Sequence, residues 1–264
     1  MGKARASGCI METDEFLKKR FAELADRADS ENRFAFTGFL GIGELASFYE
    51  AQKQFPHIPY TMEGGTETAE RVMVRFGDPE TLGYEETFPI AFLKVAPRME
   101  KFAETLSHRD YLGAIMNLGI EREKVGDIYM DGACAYVVID STMVEYIAEN
   151  LTQIRHTPVN CTEIEALPEV AAGKGEELSI AVSSERIDGV IAKTFNLSRK
   201  EVNELFRERK VFLNGRLCEN NSRILNAGDI VTVRGYGRVT FFEITGVSRK
   251  GKQYARVMKL GRMK

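Results

Sequence analysis

Arg199, Lys200, Arg207 and Lys210 fall within twelve residues of the stretch SRKEVNELFRERKVFLNG, 198–215, with Arg209 as a fifth base. Wound as a helix at about 100° per residue with Val202 at zero, the four lie between about 60° and 160°. Glu201, Glu204 and Glu208 then lie between about 200° and 260°, and Leu205 and Phe206 flank Val202 as the stripe to bury. A merely solvated helix more often mixes its signs into i,i+4 pairs. The chemistry open to a one-signed stripe is not proton transfer but charge-assisted binding of phosphate oxygens, with release of their counterions. A plain surface charge is the bland alternative.

Several signals agree on the element that carries this stripe. Ser198 followed three residues on by Glu201 is a capping box, in which each side chain satisfies an orphan backbone N–H. Leu197 before the cap and Val202 inside it fit a hydrophobic staple. Upstream, Ile187, Val190 and Ile191 sit at i, i+3 and i+4 of a short helix. Arg186 precedes that helix, and Asp188 in its first turn suits the helix dipole, a structural role. Downstream, KVFLNGRLC reads as a strand entering a turn. Asn214-Gly215 is first a type I′ turn and second a loop able to face a polyanion, with Arg216 directly after it. The bend RGYGR, 234–238, would let the backbone approach a phosphate, with Tyr236 free to stack on a base between Arg234 and Arg238. Equally, its glycines could serve a bulge that needs positive φ. VSRKGKQYARVMKL reads as a closing hairpin over a basic turn.

The whole chain of 264 residues has a formal net charge of −3, which taken alone argues against a polyanion partner. The average conceals two halves. Residues 181–264 hold 18 Lys+Arg against 8 Asp+Glu, whereas residues 1–180 hold 18 against 31. No acid follows Glu243. A basic module on an acidic body is the expected arrangement, a solubilising basic tail the alternative. Cys9, Cys134, Cys161 and Cys218 are widely spaced and have no histidine at ligand spacing, so neither a zinc site nor a disulfide framework is expected. They read as reduced thiols of a cytoplasmic protein. No signal-peptide run or stretch of 18 apolar residues occurs, so no membrane is expected, and MGKARASGCIME could be native or a remnant. No cofactor is called for. GIGE, 41–44, lacks the strand and third glycine of a dinucleotide fingerprint, and no phosphate loop, zinc-protease or serine-hydrolase motif is present. HRD, 108–110, lacks the asparagine five residues on and any DFG, which excludes a kinase catalytic loop.

The rest of the chain divides by periodicity. DEFLKKRFAELADRA, 14–28, is an amphipathic helix with Phe16, Leu17, Phe21, Leu24 and Ala28 on one face and Asp14 as cap. A second helix from about Gly43 ends at Pro56. These make residues 12–66 a mainly helical N-terminal domain. Residues 67–167 alternate strands with helices: strands at 71–76 and 88–97, a helix over 107–120 capped by Ser107, and a hairpin over 126–140 around Asp131-Gly132. A helix with Val144, Ile147, Ala148 and Leu151 on one side and a last strand HTPVNCTEI complete this α+β domain. The stretch 168–180 is the expected linker, Pro/Gly/Ala-rich at its start. Residues 181–264 form the third domain, two short helices on a small sheet with the closing hairpin.

Arg186-Ile187-Asp188, Ser198-Arg199, Val211 to Gly215 and Gly228-Asp229-Ile230, in this order and spacing, resemble the S-four RNA-binding domain. One departure stands out: Arg209 occupies the left-handed position where that pattern carries glycine, at about 1 kcal/mol of strain unless the helix ends differently. Over nearly its full length the chain resembles the YlmH family, with GGTETAER, 64–71, and HRDYLGAIMNLGIEREKVGDI, 108–128, similar to that family's signatures. The resemblance implies a bacterial RNA-binding protein that acts on ribosomal RNA of stalled large subunits carrying peptidyl-tRNA, with tRNA as a second partner and no DNA. It adds a match at Arg186, and places His108 and Arg109 at a helix start where a phosphate could bind. The S-four domain is often fused to pseudouridine synthases and methyltransferases, so an RNA-modifying enzyme is the alternative. No catalytic motif for one is found in residues 1–180.

Overall fold

The computed structural model describes residues 3–55, 57–66, 69–168, 175–248 and 251–261, and gives an α+β protein. Pro56, Glu67 and Thr68 of the GGTETAER stretch, linker residues 169–174, the basic residues Arg249, Lys250, Arg262 and Lys264, and the first two residues lie outside this set. The chain forms two compact units, Met1–Ala172 and Gly173–Lys264.

In the first unit, helix α1 (Lys3–Ser30) buries Phe21, Ala25 and Ala28. Its apolar face is narrower than the periodicity implies, because Phe16 is 65% exposed. Asp14 lies inside the helix and caps nothing; it binds Lys18 at 2.7 Å and accepts from the Ser47 hydroxyl of α2 (Ile42–Ala51). Phe21 meets Phe48 of α2 edge-on at 5.4 Å. Helix α2 stops at Ala51 and is followed by a 3-10 turn, Gln52–Gln54. The N-terminal region is less helical than expected, because β1 (Ala35–Phe36), β2 (Tyr60–Glu63) and β3 (Met73–Phe76) form a sheet in the order β1-β3-β2. That sheet pairs residues on both sides of the expected division at 66/67. Gly77 at φ +103 then turns the chain into a short helix α3 (Pro79–Leu82), which Asp78 caps.

Five further strands form the central sheet: β4 (Ile90–Pro97), β5 (Val125–Asp131), β6 (Cys134–Asp140), β7 (Gln153–Ile154) and β8 (Thr157–Ile164), in the order β5-β6-β4-β8-β7. Alternation along β4 puts Ala91, Leu93 and Val95 into the core. There they meet Tyr111 and Ile115 of α4 (His108–Asn117) and Val144 and Ile147 of α5 (Val144–Asn150). Ala148 is exposed, off that face. Ser107 caps α4, and Gly119 at φ +83 follows its end. In the β5–β6 hairpin Asp131 pairs with Cys134, so the loop is Gly132-Ala133, one residue beyond the expected dipeptide. Only Gly132 there has positive φ, +58. The sheet face away from α4 and α5 carries the cross-strand row Tyr129, Tyr136, Lys94 and Thr162.

The second unit is a six-stranded antiparallel sheet in the order β11-β10-β12-β13-β14-β9. Its strands are β9 (Glu176–Val182), β10 (Val211–Leu213), β11 (Arg216–Leu217), β12 (Ile230–Val233), β13 (Gly237–Val247) and β14 (Gln253–Gly261). Residues 176–180 therefore belong to this sheet, not to a linker, because β9 pairs with β14 along Gln253 to Lys259. Helices α6 (Ile187–Thr194) and α7 (Arg199–Arg207) cover one face of it, burying Ile187, Val190, Val202, Leu205 and Phe206 against Val211, Val231, Val233 and Val239.

Candidate nucleic-acid interface

Helix α7 starts where its capping box places it. The Ser198 N–H donates to Glu201 Oε2 at 2.7 Å, and the Glu201 N–H donates to Ser198 Oγ at 3.3 Å. The Ser198 hydroxyl, with its backbone N–H, holds the Glu201 carboxyl below the usual range. Arg199 and Lys200 stand exposed on the first turn, with no ion-pair partner among the described residues. The separation of signs does not extend to the helix end. Arg207 reaches back to Glu204 at 3.3 Å, and Lys210 meets Glu208 at 2.6 Å. Long side chains three residues apart can meet across the boundary between flanks. Exposed pairs of this kind contribute roughly 0–1 kcal/mol, so phosphate can displace the carboxylates. The helix closes with Arg209 at φ +56, its N–H bonded to Phe206 O and the Lys210 N–H to Leu205 O, which is a Schellman closure.

The other C-terminal candidates fall into different settings. Arg186 forms a two-pronged pair with Asp188, at 3.1 and 2.7 Å, and Asp188 also accepts from the Gly189 N–H. The guanidinium's pKa is raised by that hydrogen-bonded carboxylate. Leu213 pairs with Arg216, leaving Asn214-Gly215 as a two-residue turn with φ +49 and +75, the type I′ geometry. The Asn214 amide is bonded locally, donating to Asp229 at 2.8 Å and accepting from the Ile230 N–H at 2.8 Å. Residues 234–236 bridge β12 and β13, with Gly235 at φ +90 and Gly237 at φ +127, so the bend requires its glycines. The Arg234 N–H donates to Lys210 O at 2.9 Å, bringing this bend to the end of α7. Tyr236 is 38% exposed, its ring 6.1 Å from Phe195 at the end of α6. The Arg234 guanidinium lies 4.9 Å from the Phe212 ring centre. Phe212, Thr232 and Arg238 form one cross-strand row on the face opposite α6 and α7. The fold thus brings the backbone of this bend to Lys210 and Tyr236 to the end of α6, while the Arg234 guanidinium, over Phe212, lies with Arg238 on the other face of the sheet. Arg216 is exposed on β11.

His108 and Arg109 are the first two residues of α4, as the sequence indicates, but an acid already occupies that helix end. Asp110 accepts from the Ser107 N–H at 2.8 Å and hydroxyl at 2.7 Å and pairs with Arg155 at 2.7 Å. The Ser107 hydroxyl is foremost in keeping its carboxyl below the ordinary range. A phosphate there would meet a carboxylate where the orphan N–H groups should be.

Sequence reasoning did not identify a buried charge network in the first unit. Arg71 donates to the carbonyls of Val125 at 3.0 Å, Phe39 at 2.5 Å and Arg122 at 3.2 Å, with Glu44 3.8 Å away. Asp127 accepts from the Glu70 N–H at 2.6 Å and the Arg71 N–H at 3.4 Å. Burial pushes the Asp127 carboxyl up, against the lowering effect of those N–H groups. Burial, then the neighbouring Arg71 charge, pulls Arg122 down to about 10. The stretches 64–71 and 108–128, noted as two separate signatures, meet in this network. The available sequence signal was Gly41 followed by Glu44, a capping pair that sets Glu44 beside Arg71.

Residues 84–167 match the family model described as "Putative RNA-binding domain in YlmH". A curated relative, "Ribosome-associated protein quality control protein P2" of Bacillus subtilis (strain 168), is 29% identical over 195 residues, covering 72% of this chain and 73% of the relative. Over residues 84–167 the chain is thus similar to an RNA-binding domain of the YlmH family. A solved structure, "Cell division protein ylmH from Streptococcus pneumoniae", is 22% identical, covers 58% of this chain and 91% of its own, and superposes with a TM-score of 0.46. Among the described residues no helix is long and apolar enough to cross a membrane, and no cluster of metal-ligating side chains occurs.

Proposed function

We propose that the chain binds structured ribosomal RNA and serves ribosome-associated quality control in the cytoplasm, on large subunits whose bound tRNA is a second contact. The observation that carries this reading is the first turn of α7, where Arg199 and Lys200 are exposed and, among the described residues, without carboxylate partners, beside the exchangeable Arg207 and Lys210. They form part of a segment with 18 bases against 8 acids. Two helices on one face of a sheet, with an Asn-Gly turn and a left-handed residue closing the second helix, support an S-four-type module here. Tyr236 extends the surface, Arg234 and Arg238 offer bases on the other face of the sheet, and Arg186, held by Asp188, braces the first helix. The YlmH match over 84–167 and the name of the Bacillus subtilis relative support the RNA and ribosome assignments. The role needs no catalytic group, so the chain acts as a binding factor rather than as an enzyme that modifies RNA.

Co-sedimentation with purified ribosomal subunits tests the reading. Changing Arg199, Lys200 and Arg207 together to Glu should abolish binding to large subunits at moderate salt. Single changes to Gln should each reduce the log–log salt slope by about one. Unchanged binding of the triple variant would remove α7 from the interface, and nucleosides modified by the chain would favour the enzyme reading.

A further inference from the structure

Arg75 is the one buried cation among the described residues, 6% exposed, on a strand whose four residues are all buried. A guanidinium withdrawn from water needs compensation. Among the described residues no carboxylate lies at ion-pair distance from it, and Asp78 acts on it only from farther away. Instead the Phe34 and Phe88 rings lie 4.6 and 5.3 Å from its central carbon, within cation–π range. Its Nε donates to Thr61 Oγ1 at 3.2 Å and its Nη1 to the Glu86 carbonyl at 2.5 Å. Its Nη2 has no hydrogen bond among the described residues. A donor group is therefore fixed in place without a hydrogen-bond partner among the described residues.

Arg75 lines a groove of about 400 Å³, a size common for small-ligand sites, together with Thr61, Thr87 and the aromatic Phe88 and Phe92. Phe92 belongs to the face of the central sheet that lacks α4 and α5, since its β4 neighbours Ala91 and Leu93 face the other way into the core. Glu63 and Glu85, both exposed, line the same groove. Two exposed acids make it a poor phosphate site. They suit a flat group that offers hydrogen-bond donors to a carboxylate and an acceptor to a guanidinium. Guanine offers this combination on one edge, two N–H donors beside a carbonyl oxygen, and its ring suits aromatic walls.

We infer that the groove over Arg75 takes one unpaired guanine base of a bound RNA strand, with Arg75 Nη2 donating to the base carbonyl, Glu63 or Glu85 accepting from its N–H edge, and Phe88 or Phe92 stacking on it. This rests on the RNA-binding reading and gives the acidic central region a base-reading site that does not depend on net charge. It is separate from the phosphate-binding role of α7.

Anisotropy of labelled single-stranded heptamers with the full chain tests it, comparing all-uridine strands with strands carrying one central guanosine or one adenosine. The guanosine strand should bind about tenfold tighter than the all-uridine strand, the scale of one stacked and hydrogen-bonded base. Thr87→Trp, a rim change that fills the groove without touching Arg75, should erase that preference. It should leave co-sedimentation with large subunits unchanged. The double change Glu63→Gln and Glu85→Gln should reduce the preference for guanosine over adenosine while the chain still folds. In amide NMR spectra, free guanosine should shift Phe88 and Phe92, and inorganic phosphate should not. Equal affinity for the three strands, or a preference that survives Thr87→Trp, overturns the groove assignment while ribosome binding persists. Loss of all RNA and ribosome binding by the wild-type chain would overturn the underlying reading and the groove with it.

Discussion

Arg71 and Arg199 show how differently the two units use charge. Arg71 is enclosed by three backbone carbonyls, with only 13% of its side chain exposed. Arg199 stands exposed with no ion-pair partner among the described residues. The pattern extends beyond these two residues. In the first unit Arg75, Arg122, Asp127 and Asp140 are drawn into the structure. In the second unit the bases of α7 remain at the surface. Residues 84–167, the segment that matches an RNA-binding family model, hold 7 Lys+Arg against 14 Asp+Glu. Nine of those acids and four of those bases are exposed, so the segment's surface is acidic, and net charge alone does not mark a polyanion partner; the position of the exposed bases does.

The largest test of that contrast is on stability. Arg71→Ala removes the donor to three carbonyls and the positive charge beside Asp127 in a partly buried site, a class of change that costs about 3 kcal/mol. Arg199→Ala removes an exposed group and should remain within about 0.5 kcal/mol. Denaturant unfolding of the full chain, followed by hydrogen exchange, should show the first variant loosening residues 39–44 and 70–127 while α7 keeps its protection. Equal losses for the two arginines would erase the distinction.

Acid pH should separate the units next. Burial alone would raise the Asp140 carboxyl, but Lys124 at 2.7 Å and the Thr142 hydroxyl hold it below its usual value. Asp14 is likewise lowered by Lys18 and Ser47 against a raising effect of burial. A carboxyl depressed on folding contributes stability above its unfolded value, near pH 4, and loses it as pH falls through the folded value. Asp127 has the opposite sign, since its raised carboxyl is less costly once protonated, and it offsets part of the loss. The first unit should therefore lose stability in thermal scans below about pH 4. Asp140→Asn should flatten that dependence, and an unaltered profile would remove Asp140 as its source.

Legibility in the sequence follows the same division. The α7 boundary, its buried stripe and the Asn214-Gly215 turn could be read because each rests on residues within a few positions of one another. The central strands and α4 could be read for the same reason. Asp14 misled because a capping residue and an ordinary helix acid look alike until the residues before it are known to be helical. The 66/67 division and the start of β9 were hidden because β2–β3 and β9–β14 pairing joins distant segments. Arg71 and Arg75 looked like the polar half of an alternating strand, and their burial depends on Phe39, Val125, Phe34 and Phe88, none of which is a sequence neighbour. Spacing put Arg199 and Lys200 on the exposed first turn of α7, where the structure has them, but it could not show Asn214 bonded to Asp229 or Arg238 on the other face.

The smallest expected effect concerns the residue at which α7 ends. Arg209 has φ +56, and a left-handed backbone costs an L side chain roughly 1–2 kcal/mol. Glycine removes that cost but gains about 0.4–1 kcal/mol of freedom in the unfolded chain. It also gives up the exposed contact of Arg209 with Glu219 at 3.6 Å, a pair of the class contributing roughly 0–1 kcal/mol. The balance favours Arg209→Gly by about 0.5 kcal/mol, or roughly 2–4 °C for a unit of this size. Arg209→Ala is the discriminating control, because it loses the same ion pair and keeps the Cβ that causes the strain. Calorimetry should show the second unit's transition rising for Gly and not for Ala. A matching rise for Ala would place the cost in the arginine side chain, and the charge at the end of α7 would then be tolerated for binding at the expense of stability.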